Sequence, residues 1–198
     1  MAEVRDPAPD PIADAITTRR RPIAAFAALG AALVLGILFV VLAGSDRVTG
    51  NETAATPLLD KAAPVVMGAT LDGTTFDLSR RRGNWVVLNF FQSSCVPCVN
   101  EHPELVKFAQ QQSTLENGAE LVSIIWSDRP ANVQAFFDEN GGDWPVVIDD
   151  DGRFAFDYGV AQVPETWVID PNGRVVVHYI GQITADGLSA KLQELRSL

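Results

Sequence analysis

The sequence predicts an α/β domain with a central mixed β-sheet flanked by helices, opened by an N-terminal β-hairpin and preceded by one transmembrane helix. Three observations carry this. Residues 23–43 form an unbroken apolar run, IAAFAALGAALVLGILFVVLA, with no charged residue anywhere between 22 and 45. From residue 64 onward, short β-rich apolar runs alternate with stretches of helical periodicity. Two turn signals, Asp72-Gly73 and Asp170-Pro171-Asn172-Gly173, bracket that alternation. Hairpin, then β-α-β-α, then β-β-α is an order that closes into a mixed sheet covered by helices.

Residues 1–21, rich in Pro, Asp and Ala, read as a cytoplasmic tail too polar to fold alone. The apolar run, set at 22–44, is long enough to cross a bilayer, since 21 residues at 1.5 Å each reach about 30 Å. Arg19, Arg20 and Arg21 stand directly before it. The positive-inside rule therefore places the N-terminus in the cytoplasm and everything from Arg47 onward outside the cytoplasmic (inner) membrane. A cleaved signal peptide is the competing reading, but its apolar core usually spans only 7–15 residues. Either reading exports the domain. Residues 45–63 read as a linker, and 64–198 as the folded domain.

Within that domain, 69–71 and 74–78 flank Asp72-Gly73 as the hairpin. The run WVVLNFF at 85–91 suits a buried central strand. A helical pattern follows Cys98 through Leu105 and Phe108 toward Gln112, with Pro103 inside it as a kink. LVSIIW at 121–126 is a second buried strand. A second helix over 131–139 carries Val133, Phe136 and Phe137 at helical spacing. Residues 145–148 read as a short strand, followed by an acidic turn, Asp149-Asp150-Asp151-Gly152. Strands at 166–169 and 174–180 flank the second turn, and Thr184 caps a last helix with Leu188, Leu192 and Leu195 on one face.

Cys95 and Cys98 are the only cysteines in the chain's 198 residues, in the run Ser94-Cys95-Val96-Pro97-Cys98. A disulfide across so short a loop is a weak staple, worth roughly 2 kcal/mol against about 3 for a fifteen-residue loop. As a reversible electron carrier it works well, because the second thiol is always at hand to resolve a mixed disulfide. A helix starting at the pair favours the thiolate of Cys95 through its free N–H groups and positive dipole end. Cys95 is then the nucleophile and Cys98, one turn in, the resolving thiol. A CxxC beside a β-α-β pattern reads as a thioredoxin-like redox motif. Zinc is disfavoured, since it wants four ligands and only His102 and His178 remain as soft partners.

Further residues sharpen this. Asn89-Phe90-Phe91 precedes the cysteines, Glu101 and Pro103 follow them, and the run Gly159-Val160-Ala161-Gln162-Val163-Pro164-Glu165-Thr166-Trp167-Val168-Ile169-Asp170 lies farther on. On these residues the domain resembles the membrane-anchored thioredoxin-like family of the TlpA, ResA and DsbE type, whose best-known members serve cytochrome c maturation. The resemblance spans 64–198. It implies a thioredoxin-like fold, a cis Pro164 beside the active disulfide, and backbone groups of Val163 offered to an extended partner segment. Val163 and Pro164 are the substrate-binding residues this implies. The chain departs from the family at Phe91 and Ser94, where tryptophan is usual.

Glu165, next to that proline, is the third catalytic candidate, as a proton acceptor or a modifier of a cysteine pKa. Asn89 stands where ordinary thioredoxins carry a buried acid, and an amide cannot take the proton. Glu101 reads as a surface or capping residue, His102 as a solvated helix residue, and Trp126 and Trp167 as core. The resemblance implies a reductant recharged by a membrane electron-donor protein and aimed at a protein disulfide, apocytochrome c among the candidates, with no cofactor. An oxidant or isomerase of exported proteins is the alternative. A peroxiredoxin-like peroxidase is disfavoured by Gln92, three residues before Cys95, and a non-catalytic binding module is the remaining class. The net charge of −10 falls entirely beyond residue 45 and argues against nucleic acid as a partner.

Overall fold

The computed structural model describes residues 23–43 and 53–197. The tail 1–21, the arginines within it, positions 22 and 44 at the ends of the expected transmembrane helix, and residues 45–52 of the expected linker lie outside the described residues. Helix α1, Ile23–Ala43, forms one unit with its neighbours, and the folded domain forms the other. Side chains of α1 are described only at 26 and 28–37. That part alone is not long enough to cross a membrane, and its apolar members, Phe26, Leu29, Leu33 and Ile37 among them, are exposed.

The domain has a thioredoxin-like α/β architecture. Five strands, β3 (Val86–Phe91), β4 (Glu120–Ile125), β5 (Val146–Val147), β6 (Glu165–Ile169) and β7 (Val175–Ile180), make one sheet in the order β5-β4-β3-β6-β7. β3 runs parallel to β4 and antiparallel to β6, so the sheet is mixed. β3 sits at its centre with all six residues buried, as an apolar run covered on both faces should be. Helices α2 (Val96–Ser113), α3 (Pro130–Asn140) and α5 (Ala185–Arg196) complete the domain with the short α4 (Arg153–Tyr158). The sequence reading did not anticipate α4, because six residues are too few to show a period. The carboxylate of Asp149 accepts the backbone N–H groups of Phe154 and Ala155 at its start.

Alternation along the strands divides the core in two. Val87, Phe91 and Val168 join Leu105, Phe108, Val133, Leu188 and Leu192 from α2, α3 and α5. Val86, Leu88, Phe90, Trp167 and Ile169 join Tyr158 of α4 on the opposite face. β1 (Met67–Ala69) and β2 (Thr75–Asp77) form a separate antiparallel pair, joined by a turn in which Gly73 has φ 81°. That positive φ costs glycine nothing and other residues roughly 1 kcal/mol or more.

One boundary differs from the sequence reading. Residues 53–63, read as linker, belong to the folded domain. Thr53 pairs with Tyr179, Leu59 with Val175 and Ala62 with Arg174. The Asp60 N–H donates to the Val175 carbonyl and the Val175 N–H to the Lys61 carbonyl. Leu58, Leu59 and Ala63 pack against the second core. Polar composition hid them: Leu58, Leu59 and Ala63 are too few to show a period, yet all three pack on the core.

Candidate active site

Cys95 caps the N-terminus of α2, and the chain carries Cys95 and Cys98 as a disulfide. The Cys98 N–H points at Cys95 Sγ from 3.2 Å. An unpaired helix N–H of this kind stabilises a thiolate at that sulfur once the disulfide opens. Cys98 is buried, whereas Cys95 is only half-buried and lies between exposed Ser94 and Val96. A partner can therefore reach Cys95 and not Cys98.

The peptide bond between Val163 and Pro164 is cis, and the Val163 carbonyl oxygen lies 3.5 Å from Cys95 Sγ. Val163 is half-buried and Pro164 buried. Of the two sequence-expected docking residues, Val163 thus meets Cys95 through its backbone, and Pro164 follows it across the cis bond.

Loop 92–94 is held from α3's side. The Gln92 side-chain amide donates to the Ser127 carbonyl, and the Ser93 N–H and hydroxyl both donate to Asp128 Oδ2. Asp128 also accepts from Arg129 N–H and the Asn132 amide. Burial would raise its carboxyl, but the bonds from Ser93 and Asn132 outweigh it and hold the group below the ordinary aspartate range. Replacing Asp128 with Ala leaves two Ser93 donors unmet. It should cost about 1–2 kcal/mol in urea denaturation and slow disulfide exchange several-fold.

The acid nearest the resolving cysteine in sequence is not where the sequence reading put it. Glu101 is 1% exposed rather than a surface residue. Its Oε1 accepts from the Ile183 N–H at 2.8 Å, and its Oε2 from the Asn89 amide at 3.0 Å. Burial pushes its carboxyl up to about 8, with those two bonds opposing. Spaced three residues from Cys98 on α2, it shares the buried face of that helix. Asn89 donates as well to Thr166 Oγ1 and leaves its own Oδ1 buried without a partner.

Glu165 is displaced correspondingly. Along β6 it alternates with Trp167 and Ile169, and so lies on the sheet face opposite Asn89 and Thr166. Its Oε1 accepts from the N–H groups of Ala161 and Gln162, and its Oε2 lies 2.8 Å from His178 Nε2. These bonds commit the carboxylate to the loop before Pro164 rather than to the thiols. His102 is likewise buried, not solvated. Its Nε2 meets the Gly141 carbonyl at 2.8 Å, and Phe136, Phe137 and Trp144 pack round the ring. Burial lowers its pKa. Among the described residues no group of His, Cys, Asp and Glu could hold a metal.

Comparison with known proteins agrees with this geometry. The Redoxin family model matches residues 58–192. That match begins ahead of residue 64, as the packing of 53–63 requires. The thiol:disulfide interchange protein HelX of Rhodobacter capsulatus is 35% identical over 160 residues, covering 77% of this chain and 86% of HelX. The thiol-disulfide oxidoreductase ResA of Geobacillus thermodenitrificans is 31% identical, covering 68% of this chain and 76% of ResA. A thioredoxin-family thiol:disulfide interchange protein of Chlorobium tepidum shares the fold with a TM-score of 0.61 at 24% identity, over 71% of this chain and 98% of its own. With a helix-capping CxxC facing a cis proline, and relatives that are thiol-disulfide enzymes, the chain belongs to the Redoxin family as a thiol-disulfide oxidoreductase of the TlpA, ResA and DsbE type.

Proposed function

We propose that this oxidoreductase works as a reductant of specific protein disulfides, tethered outside the cytoplasmic membrane by α1 with its N-terminus inside. The observation that carries the reading is the burial of Glu101 beside an inaccessible Cys98, opposite an accessible Cys95. Cys95 thiolate attacks one sulfur of a client disulfide, and the client's other sulfur leaves as thiolate. Cys98 then gives its proton to Glu101 and attacks Cys95 Sγ, releasing the second client thiolate. The client gains two electrons and the chain ends as the Cys95–Cys98 disulfide. A carboxyl held at about 8 is matched to an ordinary thiol near 8.5, so this proton moves either way at little cost. Recharging reverses the steps, with Glu101 protonating departing Cys98.

The tether rests on 21 uncharged helical residues that begin one position after three arginines. The client class, apocytochrome c, and the membrane electron donor rest on the family resemblance. An export compartment is oxidising, so a reductant there needs such a donor. The deciding measurement is the equilibrium of Cys95–Cys98 with glutathione. A potential near that of thioredoxin, about −270 mV, is expected; one near about −120 mV makes the chain an oxidant.

A further inference from the structure

His178 stands in β7 beside Trp167 of β6, its ring stacked on the indole with 3.6 Å between centroids. It is 6% exposed, and its partner Glu165 2%. From His178 Nε2 a continuous path of hydrogen bonds runs to Glu165 Oε2, then from Oε1 to Ala161 N at 3.1 Å and Gln162 N at 3.3 Å. The next residue is Val163, whose carbonyl faces Cys95 Sγ. The outermost strand of the sheet is thereby joined to the segment that meets a partner chain.

The arrangement leaves little freedom. Glu165 Oε1 accepts from two backbone N–H groups, and a carboxylate lets Oε2 accept from His178 Nε2 in the same way. His178 Nε2 must then carry a proton. Nδ1 is buried without a partner, so the neutral ring leaves a bare lone pair, whereas a cation would leave a buried N–H unmet. Stacking on Trp167 blocks ring rotation, and any tilt uncovers a buried carboxylate whose loss of a donor is costly.

We propose that His178 is a positioning residue for disulfide exchange: through Glu165 it fixes the backbone of 161–163, and so sets where the Val163 carbonyl meets the chain bound at Cys95. This rests on the oxidoreductase reading above. No proton or electron passes through the pair. Its effect falls on partner docking and leaves the sulfur equilibrium alone.

The test compares His178→Leu, which cannot donate, with His178→Gln, whose amide can, in the full chain with a peptide disulfide as substrate. His178→Leu should raise KM about tenfold and change kcat by less than about threefold. Amide exchange at Ala161 and Gln162 should quicken by about tenfold, while the equilibrium with glutathione stays within about twofold. His178→Gln should recover most of the loss in both KM and exchange. An unchanged KM in His178→Leu overturns the proposal, as does a shifted glutathione equilibrium at unchanged KM. Should His178→Leu fail to fold, Glu165→Gln carries the test, since an oxygen turned to Ala161 and Gln162 leaves an amide nitrogen facing the His178 donor. Exchange at those two amides and KM should then both rise, by up to about tenfold, and an unchanged KM defeats the proposal. Wild-type chain that exchanges no disulfide sinks the underlying reading, whereas normal wild-type exchange with an indifferent His178→Leu sinks this one alone.

Discussion

Replacing Cys98 with Ser is expected to turn the chain into a trap. Mixed disulfides through Cys95 should accumulate with clients, and turnover of a peptide disulfide should fall by about 10³-fold or more. The magnitude follows from what Cys98 supplies. An oriented neighbouring thiol acts at an effective concentration of roughly 10⁵ M or higher, and external thiols at millimolar levels cannot replace it. The asymmetry follows from burial. Cys98 is 4% exposed, while Cys95 lies half-exposed beside Val96, which is 70% exposed. Cys95→Ser should therefore yield no adducts at all. Mass spectrometry of adducts from both variants checks this, and adducts in Cys95→Ser would reverse the assigned roles.

Glu101→Gln should remove a fall in stability that wild type shows between about pH 5 and pH 8. The unfolded chain releases the Glu101 proton near 4.5, and the folded chain holds it to about 8. Between those values the folded state binds more protons, so stability is fully present below the unfolded value and drains away as pH rises to the folded one. The slope approaches about 1.4 kcal/mol per pH unit for one full proton. Glu120, whose carboxyl burial also raises, adds in the same sense. Glutamine keeps an oxygen for Ile183 N–H and is uncharged at every pH in this range. The oxidised variant should thus show a nearly flat urea midpoint from pH 5 to 8, and exceed wild type at pH 8. An equally steep fall in the variant would remove Glu101 as its source. Resolution of mixed disulfides should slow about 10²-fold in the same variant, the ordinary share of a general acid-base group.

The fold was legible because its strands are unusually plain: WVVLNFF and LVSIIW leave little choice, and two glycine turns mark the hairpins. The cysteine pair, Val163 and Pro164 were legible because their motif is local. Glu101 was not, although a signal existed. Cys98, Glu101, Leu105, Phe108 and Gln112 repeat at three- and four-residue steps, and all are buried. The carboxylate stood on the core face of its own helix, and its charge disguised that. Glu165 failed differently. Adjacency to Pro164 says nothing about which face of a strand a side chain takes, and a one-residue step moves it through the sheet. The role of His178 was invisible because its partners come from β6, thirteen residues away from it at Glu165.

The packing of residues 53–77 covers part of both edges of the five-stranded sheet. Thr53, Asp60 and Ala62 lie along β7, while Ala69, Thr70 and Leu71 bond to Val146, Val147 and Ile148 beside β5. Outermost strands ordinarily present rows of free N–H and C=O groups that recruit other chains, the route to aggregation and to strand addition. Here the chain's own N-terminal segment occupies part of both positions. Among the described residues an unfolded client, rich in exposed backbone, finds both margins of the five-stranded sheet partly taken, which favours meeting this protein at the disulfide.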